Sequence, residues 1–202
     1  MARLLAQLLA AGLLGVACAI AAGDAEARGV EDGALSLERE EFAKWVRAGG
    51  VRYHMISPGF DDEDEDEVTF PDAVGDVDPN TGNGFIRTRG GIVLQRSGRK
   101  VRLSEPAYGR TSRGAMLGIR ISGYCRQVRG RRRCVAAKRI ELARLEALRY
   151  SPSGDDTHLY IDAKARLTGF AARALNTRLG STFGGGQHVG SFDAVARLAD
   201  LD

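Results

Sequence analysis

Hydrophobic positions along this chain change period several times, and each change marks an element. Leu37, Phe42, Trp45 and Val46 approximate one apolar face at helical spacing. Ser36 stands ahead of them as an N-cap, and Glu38, Glu40 and Glu41 put acid into the first turn. Gly49-Gly50 ends the pattern, which predicts a short helix. From Val51 the period is two: Val51, Tyr53 and Met55 alternate with polar residues until Ser57-Pro58-Gly59 breaks the strand. Strand patterns follow over 68–74, 84–88, 91–96, 100–106, 115–123 and 158–167. The stretch 136–150 fits either period, a strand around 139–145 or a helix through Leu142 and Leu145. A clear helix comes late: Thr168 caps it, Phe170, Ala171, Ala174, Leu175 and Leu179 form its stripe, and Gly180 ends it. A strand over 188–198 closes the chain. Short strands with regular turn signals predict an all-β fold, an antiparallel β-sandwich carrying two short α-helices.

The first residues follow a different rule. Arg3 precedes a small and apolar run, Leu4 to Ile20, with Gln7 inside it, too short and too poorly flanked to span a membrane stably. This is the layout of a secretory signal, with Ala25-Glu26-Ala27 as cleavage site and Ala19-Ile20-Ala21 as an earlier option. The expectation is a signal peptide over 1–27 and a single β-rich domain over 28–202, secreted or held at the cell surface, with no transmembrane segment in the mature chain. Anchoring as a lipoprotein through Cys18 is the lesser alternative, because the leucine before Gly15-Val16-Ala17-Cys18 stands one position too early. Residues 24–34 are small and polar, which predicts a short disordered lead.

Cleavage after Ala27 removes Arg3, Asp24 and Glu26, so the formal charge moves from +3 to +4. That mild excess is not a nucleic-acid-binding composition. Cleavage also removes Cys18 and leaves Cys125 and Cys134, an even pair that reads as a disulfide in an exported chain. The stretch GYCRQVRGRRRC then becomes a hairpin stapled at its base, with Arg126, Arg129, Arg131, Arg132 and Arg133 on a basic surface loop. Such a loop fits an anionic component of the cell envelope or a protein partner. No aromatic lies between the cysteines to stack on bases, which argues against nucleic acid.

Other motifs carry less. Seven consecutive acids over 61–67 repel one another too strongly for a packed element without cations. In DVDPNTGNG the acids alternate as in a calcium loop, but Thr81 stands where the sixth-position glycine belongs and Arg87 where the glutamate belongs. A wide turn explains that composition. His54, His158 and His188 are isolated, so no metal site is expected, and no activated-serine motif appears, so no catalytic residue is assigned. Tyr53-His54 offers tyrosinate and imidazole, both haem ligands, although neighbours on a regular strand point to opposite faces. Gly90-Gly91 leaves bare backbone between two arginine-rich strands, as a sheet kink or as room for a ligand.

Four segments in order, EFAKWVRAGGV, VTFPDAVGDVDPNTGNGFIRTRGGIVL, LTGFAARALN and GGGQHVGSFDAVARL, resemble the HtaA-like domain of secreted actinobacterial proteins. The resemblance covers nearly all of the mature chain. It implies a β-rich sandwich with short helices, export to the cell surface and, for some members, haem binding in iron acquisition. It also implies a haem-ligating tyrosine in a Ser-Phe-Arg-x-Tyr-type helix, where this chain has Glu41-Phe42-Ala43-Lys44-Trp45, and a supporting histidine near the Gly-Gly strand, where it has Thr88 and Arg89. Indole offers iron no ligand atom, so neither residue transfers. The reading is a secreted or envelope-associated, non-catalytic binding module with no required cofactor. The alternatives are a haem carrier using Tyr53 or His54, and an exported enzyme whose residues are dispersed.

Overall fold

The computed structural model describes residues 27–200 apart from 129, 130 and 156, with backbone alone over the rest of 124–133. The expected leader, with Cys18, lies outside the described residues except for Ala27, and Arg129 lies outside them too. The elements run β1 (Arg28–Glu38), α1 (Arg39–Ala48), β2 (Arg52–Ile56), β3 (Phe60–Asp62), β4 (Glu67–Phe70), β5 (Val74–Val77), β6 (Gly84–Arg87) and β7 (Gly91–Arg96). There follow β8 (Arg99–Thr111), β9 (Gly114–Ile121), β10 (Tyr124–Val128), β11 (Arg131–Val135), β12 (Lys138–Pro152), β13 (His158–Leu167), α2 (Gly169–Leu179) and β14 (His188–Leu198).

Strands β1, β5, β6, β8, β9, β12, β13 and β14 hydrogen-bond in that order, and β14 returns to β1, so the sheet closes as an eight-stranded barrel. This corrects the expected sandwich. Ala194 decides it: it stands opposite Ile161 on one side and Leu35 on the other, joining the last strand to the first. Alternation along a strand serves barrel and sandwich equally, so the pattern did not separate them. Ile86, Leu103, Tyr108, Ile121, Ile161 and Phe192 are fully buried within the space enclosed by the barrel and the two helices.

The lead expected to be disordered is instead mostly β1. A register shift between Val30 and Asp32 interrupts its alternation and hides it from a period-two reading. Helix α1 starts later than Ser36 suggested: the Glu38 carboxylate accepts hydrogen bonds from the backbone N–H groups of Glu40 (3.0 Å) and Glu41 (2.9 Å), while Ser36 is buried in the strand. In the ambiguous stretch 136–150, residues 138–150 are strand. Register shifts between Glu141 and Ala143 and between Glu146 and Arg149 change its phase, so Leu142 and Leu145 both turn inward at a spacing that looks helical.

Two strands fork. β1 pairs with β5 through 28–30 and with β4 through 35–38, while β8 pairs with β7 through 99–104 and with β6 through 107–110. The ribbons β3–β4 and β2–β7 therefore flank the barrel. At the second fork Gly90 and Gly91 have φ of 79° and 151°. A Cβ on Gly90 would lie 2.5 Å from the Gly59 nitrogen, and one on Gly91 would lie 2.1 Å from the Leu103 carbonyl oxygen. The glycines answer to neighbouring backbone, with no ligand needed to explain them. The acidic run is met by a cation: Arg39 pairs with Asp61 at 2.6 Å and with Glu63 at 2.9 Å, which lets its two ends enter β3 and β4.

Candidate functional site

Helix α1 buries Phe42, Trp45 and Val46 and packs against β14, β4, β1 and β2. Glu41 fastens it. One carboxylate oxygen accepts the Ser191 backbone N–H at 2.7 Å and the Ser191 hydroxyl at 3.1 Å, and lies 3.0 Å from Nε2 of His188. Burial opposes ionisation there, but the bonds from His188 and Ser191 prevail and hold this carboxyl below the ordinary range. Sequence reading missed this trio, because Glu41 lies about a hundred and fifty residues from its partners.

Trp45 is 3% exposed, and its ring stacks on Phe183 with centroids 4.8 Å apart. Phe183 fits there because residue 49 is glycine; a Cβ at Gly49 would come within 2.3 Å of the Phe183 ring. The indole N–H is buried without an acceptor among the described residues, so Trp45 serves packing.

Tyr53 and His54 diverge, as alternation requires. Tyr53 is half-buried, packs edge-on to Phe42 with centroids 5.0 Å apart, and donates its hydroxyl to Asp61 at 2.8 Å. Burial first, and then the hydrogen bond and charge of Asp61, push the phenol up to about 12. His54 is exposed. His158 and His188 lie at the starts of β13 and β14, and among the described residues no group of three or more histidine, cysteine or acidic side chains is arranged to hold a metal ion.

Between the forks lies an open cleft of about 580 Å3. Thr88 and Arg89 line it beside Arg87, Asp72, Glu31 and Glu105. Asp72 and Glu105 take positive φ, 60° and 53°, where the strands part. Arg139 and Arg120 hold Glu105 at 3.0 and 3.8 Å, and Arg89 lies 4.0 Å from Asp72. The calcium-like turn is closed on itself: Asp78 accepts from the backbone N–H groups of Asn80 (2.8 Å) and Thr81 (3.3 Å) and from the Thr81 hydroxyl.

The basic hairpin is not part of the barrel sheet. β10 and β11 form their own two-stranded sheet, and the register sets Cys125 opposite Cys134, Arg126 opposite Arg133 and Val128 opposite Arg131.

Comparison with solved structures identifies the architecture. The C-terminal domain of HtaA from Corynebacterium glutamicum superposes with a TM-score of 0.61 at 15% identity, covering 85% of this chain and 99% of that one. The chain has the HtaA-domain fold. The N-terminal domain of HtaA from the same organism gives 0.59 at 12% identity, covering 85% and 99%. The heme-binding protein HtaB, also from C. glutamicum, gives 0.53 at 13% identity, covering 85% and 95%. Neither a scan of protein-family models nor a sequence search of curated proteins finds a match.

On this HtaA-like scaffold, the side chains at the positions expected to hold haem do not fit it. Trp45 brings no ligand atom and is covered by Phe183. Tyr53 keeps its proton against Asp61, whereas tyrosine ligates iron as tyrosinate. The cleft at Thr88 and Arg89 is walled by charges of both signs, unlike the apolar slot a macrocycle requires. Among the described residues no helix is long and apolar enough to cross a membrane.

Proposed function

We propose that this chain is an exported, non-catalytic binding module of HtaA-like fold that engages an anionic component of the cell envelope. The observation that carries the reading is the hairpin β10–β11, which leaves the barrel as a separate sheet and brings Arg126, Arg131, Arg132 and Arg133 with it. A two-stranded sheet has little stability alone, and the facing positions of Cys125 and Cys134 support a disulfide that staples its base. The Leu4–Ile20 run supports export, and export supplies the oxidising compartment in which such a bond persists.

The test is retention on isolated envelope fractions. Binding is expected to weaken with salt and on changing Arg131, Arg132 and Arg133 together to Gln; indifference to both removes the hairpin from the account. The mature protein should weigh two hydrogens less than its fully reduced form, and free thiols at Cys125 and Cys134 would defeat the staple.

A second reading, a haem carrier, is favoured by the likeness to HtaB. It requires a ligand other than Trp45, with Tyr53 or His54 as candidates, and haem titration separates it from the first.

A further inference from the structure

Helix α2 has two unlike faces. Ala171, Ala172, Leu175 and Leu179 are buried where the helix packs on β8 and β12. Phe170, Arg173, Ala174, Thr177 and Arg178 follow at i, i+3, i+4, i+7 and i+8 on another side, where with Val135 and Lys138 they line a shallow groove of about 250 Å3. Two large apolar side chains are left in water there, Phe170 at 47% and Val135 at 42% exposure. Lys138 lies over the Phe170 ring with its ammonium 4.5 Å from the centroid.

Charge on this face has one sign. No acidic residue occurs anywhere in α2, and none lines the groove among the described residues. Just past the C-terminus of α2, Arg96 donates to the Gly180 carbonyl and the Arg99 guanidinium would lie 3.2 Å from a Cβ on Gly180. The acids of this protein are concentrated elsewhere, in the run at the β3–β4 turn.

We infer that the α2 face, Phe170 and Val135 set beside Lys138 and Arg173, docks on an anionic lipid bilayer. The inference rests on the envelope reading above and narrows its partner. A soluble anionic polymer satisfies the cations and leaves Phe170 and Val135 wet. An anionic bilayer satisfies both, with phosphates at the headgroup level for Arg173 and Lys138, and acyl chains just beneath for the apolar pair. Arginine and lysine stems reach along apolar surface while their charges stay at the interface, and Lys138 over Phe170 already takes that posture.

The experiment is co-flotation of the mature protein with phosphatidylcholine vesicles, with and without phosphatidylglycerol, in the presence and absence of soluble polyphosphate. Flotation is expected only with phosphatidylglycerol, falling with salt. Phe170→Ser should weaken it about tenfold, the equivalent of removing one partly inserted aromatic ring. Arg173→Gln should weaken it less, and Phe85→Ser, which alters an exposed ring on β6, should leave it unchanged. Two results overturn the inference: no flotation with phosphatidylglycerol vesicles, or flotation abolished by polyphosphate and indifferent to Phe170→Ser. The latter assigns the surface to a soluble polyanion and leaves the envelope reading standing, whereas loss of binding to envelope fractions as well removes both.

Discussion

Asn176, near the end of α2, grips the backbone of Phe183 at both ends: its Oδ1 accepts the Phe183 N–H at 2.8 Å, and its Nδ2 donates to the Phe183 carbonyl at 2.8 Å. The same Oδ1 accepts the Ser181 hydroxyl at 2.9 Å. One amide thus fixes the loop that lays Phe183 on Trp45, coupling the late helix to the early one. Asn176→Ala is expected to cost roughly 2 kcal/mol, about the sum of bonds lost inside a half-buried loop. Trp45 is the sole tryptophan, so the release of Phe183 should appear directly as a red shift in its emission. An unshifted spectrum in a destabilised variant would mean that the loop is held by something else.

Asp162 and Asp193 face each other across β13 and β14. Burial first, and then the hydrogen bond and charge of Asp162 with the charge of Glu67, push the Asp193 carboxyl up to about 7. A carboxyl raised in the folded state favours folding fully below its unfolded value near 4, and that contribution is lost as pH rises through about 7. Asp193→Asn should therefore stabilise the protein by roughly 1 kcal/mol at about pH 8 and by almost nothing at about pH 4. Denaturant titrations at the two pH values check this, and equal effects at both would contradict the raised Asp193 carboxyl.

Gly91→Ala should destabilise by about 3 kcal/mol or more, since its methyl would meet the Leu103 carbonyl and the backbone cannot yield. Gly98, with φ of 78° and nothing within 4 Å of an added Cβ, supplies the control. Gly98→Ala should cost only about 1 kcal/mol of conformational strain. Thermal melts of the two variants separate close contact from dihedral preference.

Much of the fold was legible where period and punctuation agreed. Thr168 and Gly180 bound α2, and the spans of β7, β13 and β14 follow from alternation alone. What escaped was phase and closure. Bulges in β1 and β12 displace the alternation, making the first strand look like an unstructured lead and leaving Leu142 and Leu145 ambiguous. Closure depends on β14 meeting β1, a pairing between chain ends that no local pattern encodes. The candidate surfaces divide the same way. Arg126, Arg129, Arg131, Arg132 and Arg133 stand together in sequence, whereas Glu41 with His188, or Val135 beside Phe170, are joined only by folding.

The expected consequence of Trp45 beneath Phe183 is a fold that persists without haem chemistry, and titrating hemin into the purified protein while following the Soret band tests it most directly. A titration no different from that of an unrelated control protein is the expected result. A saturable one-to-one shift, abolished by Tyr53→Ala or His54→Ala, would contradict it and make this protein a haem carrier whose ligand has moved.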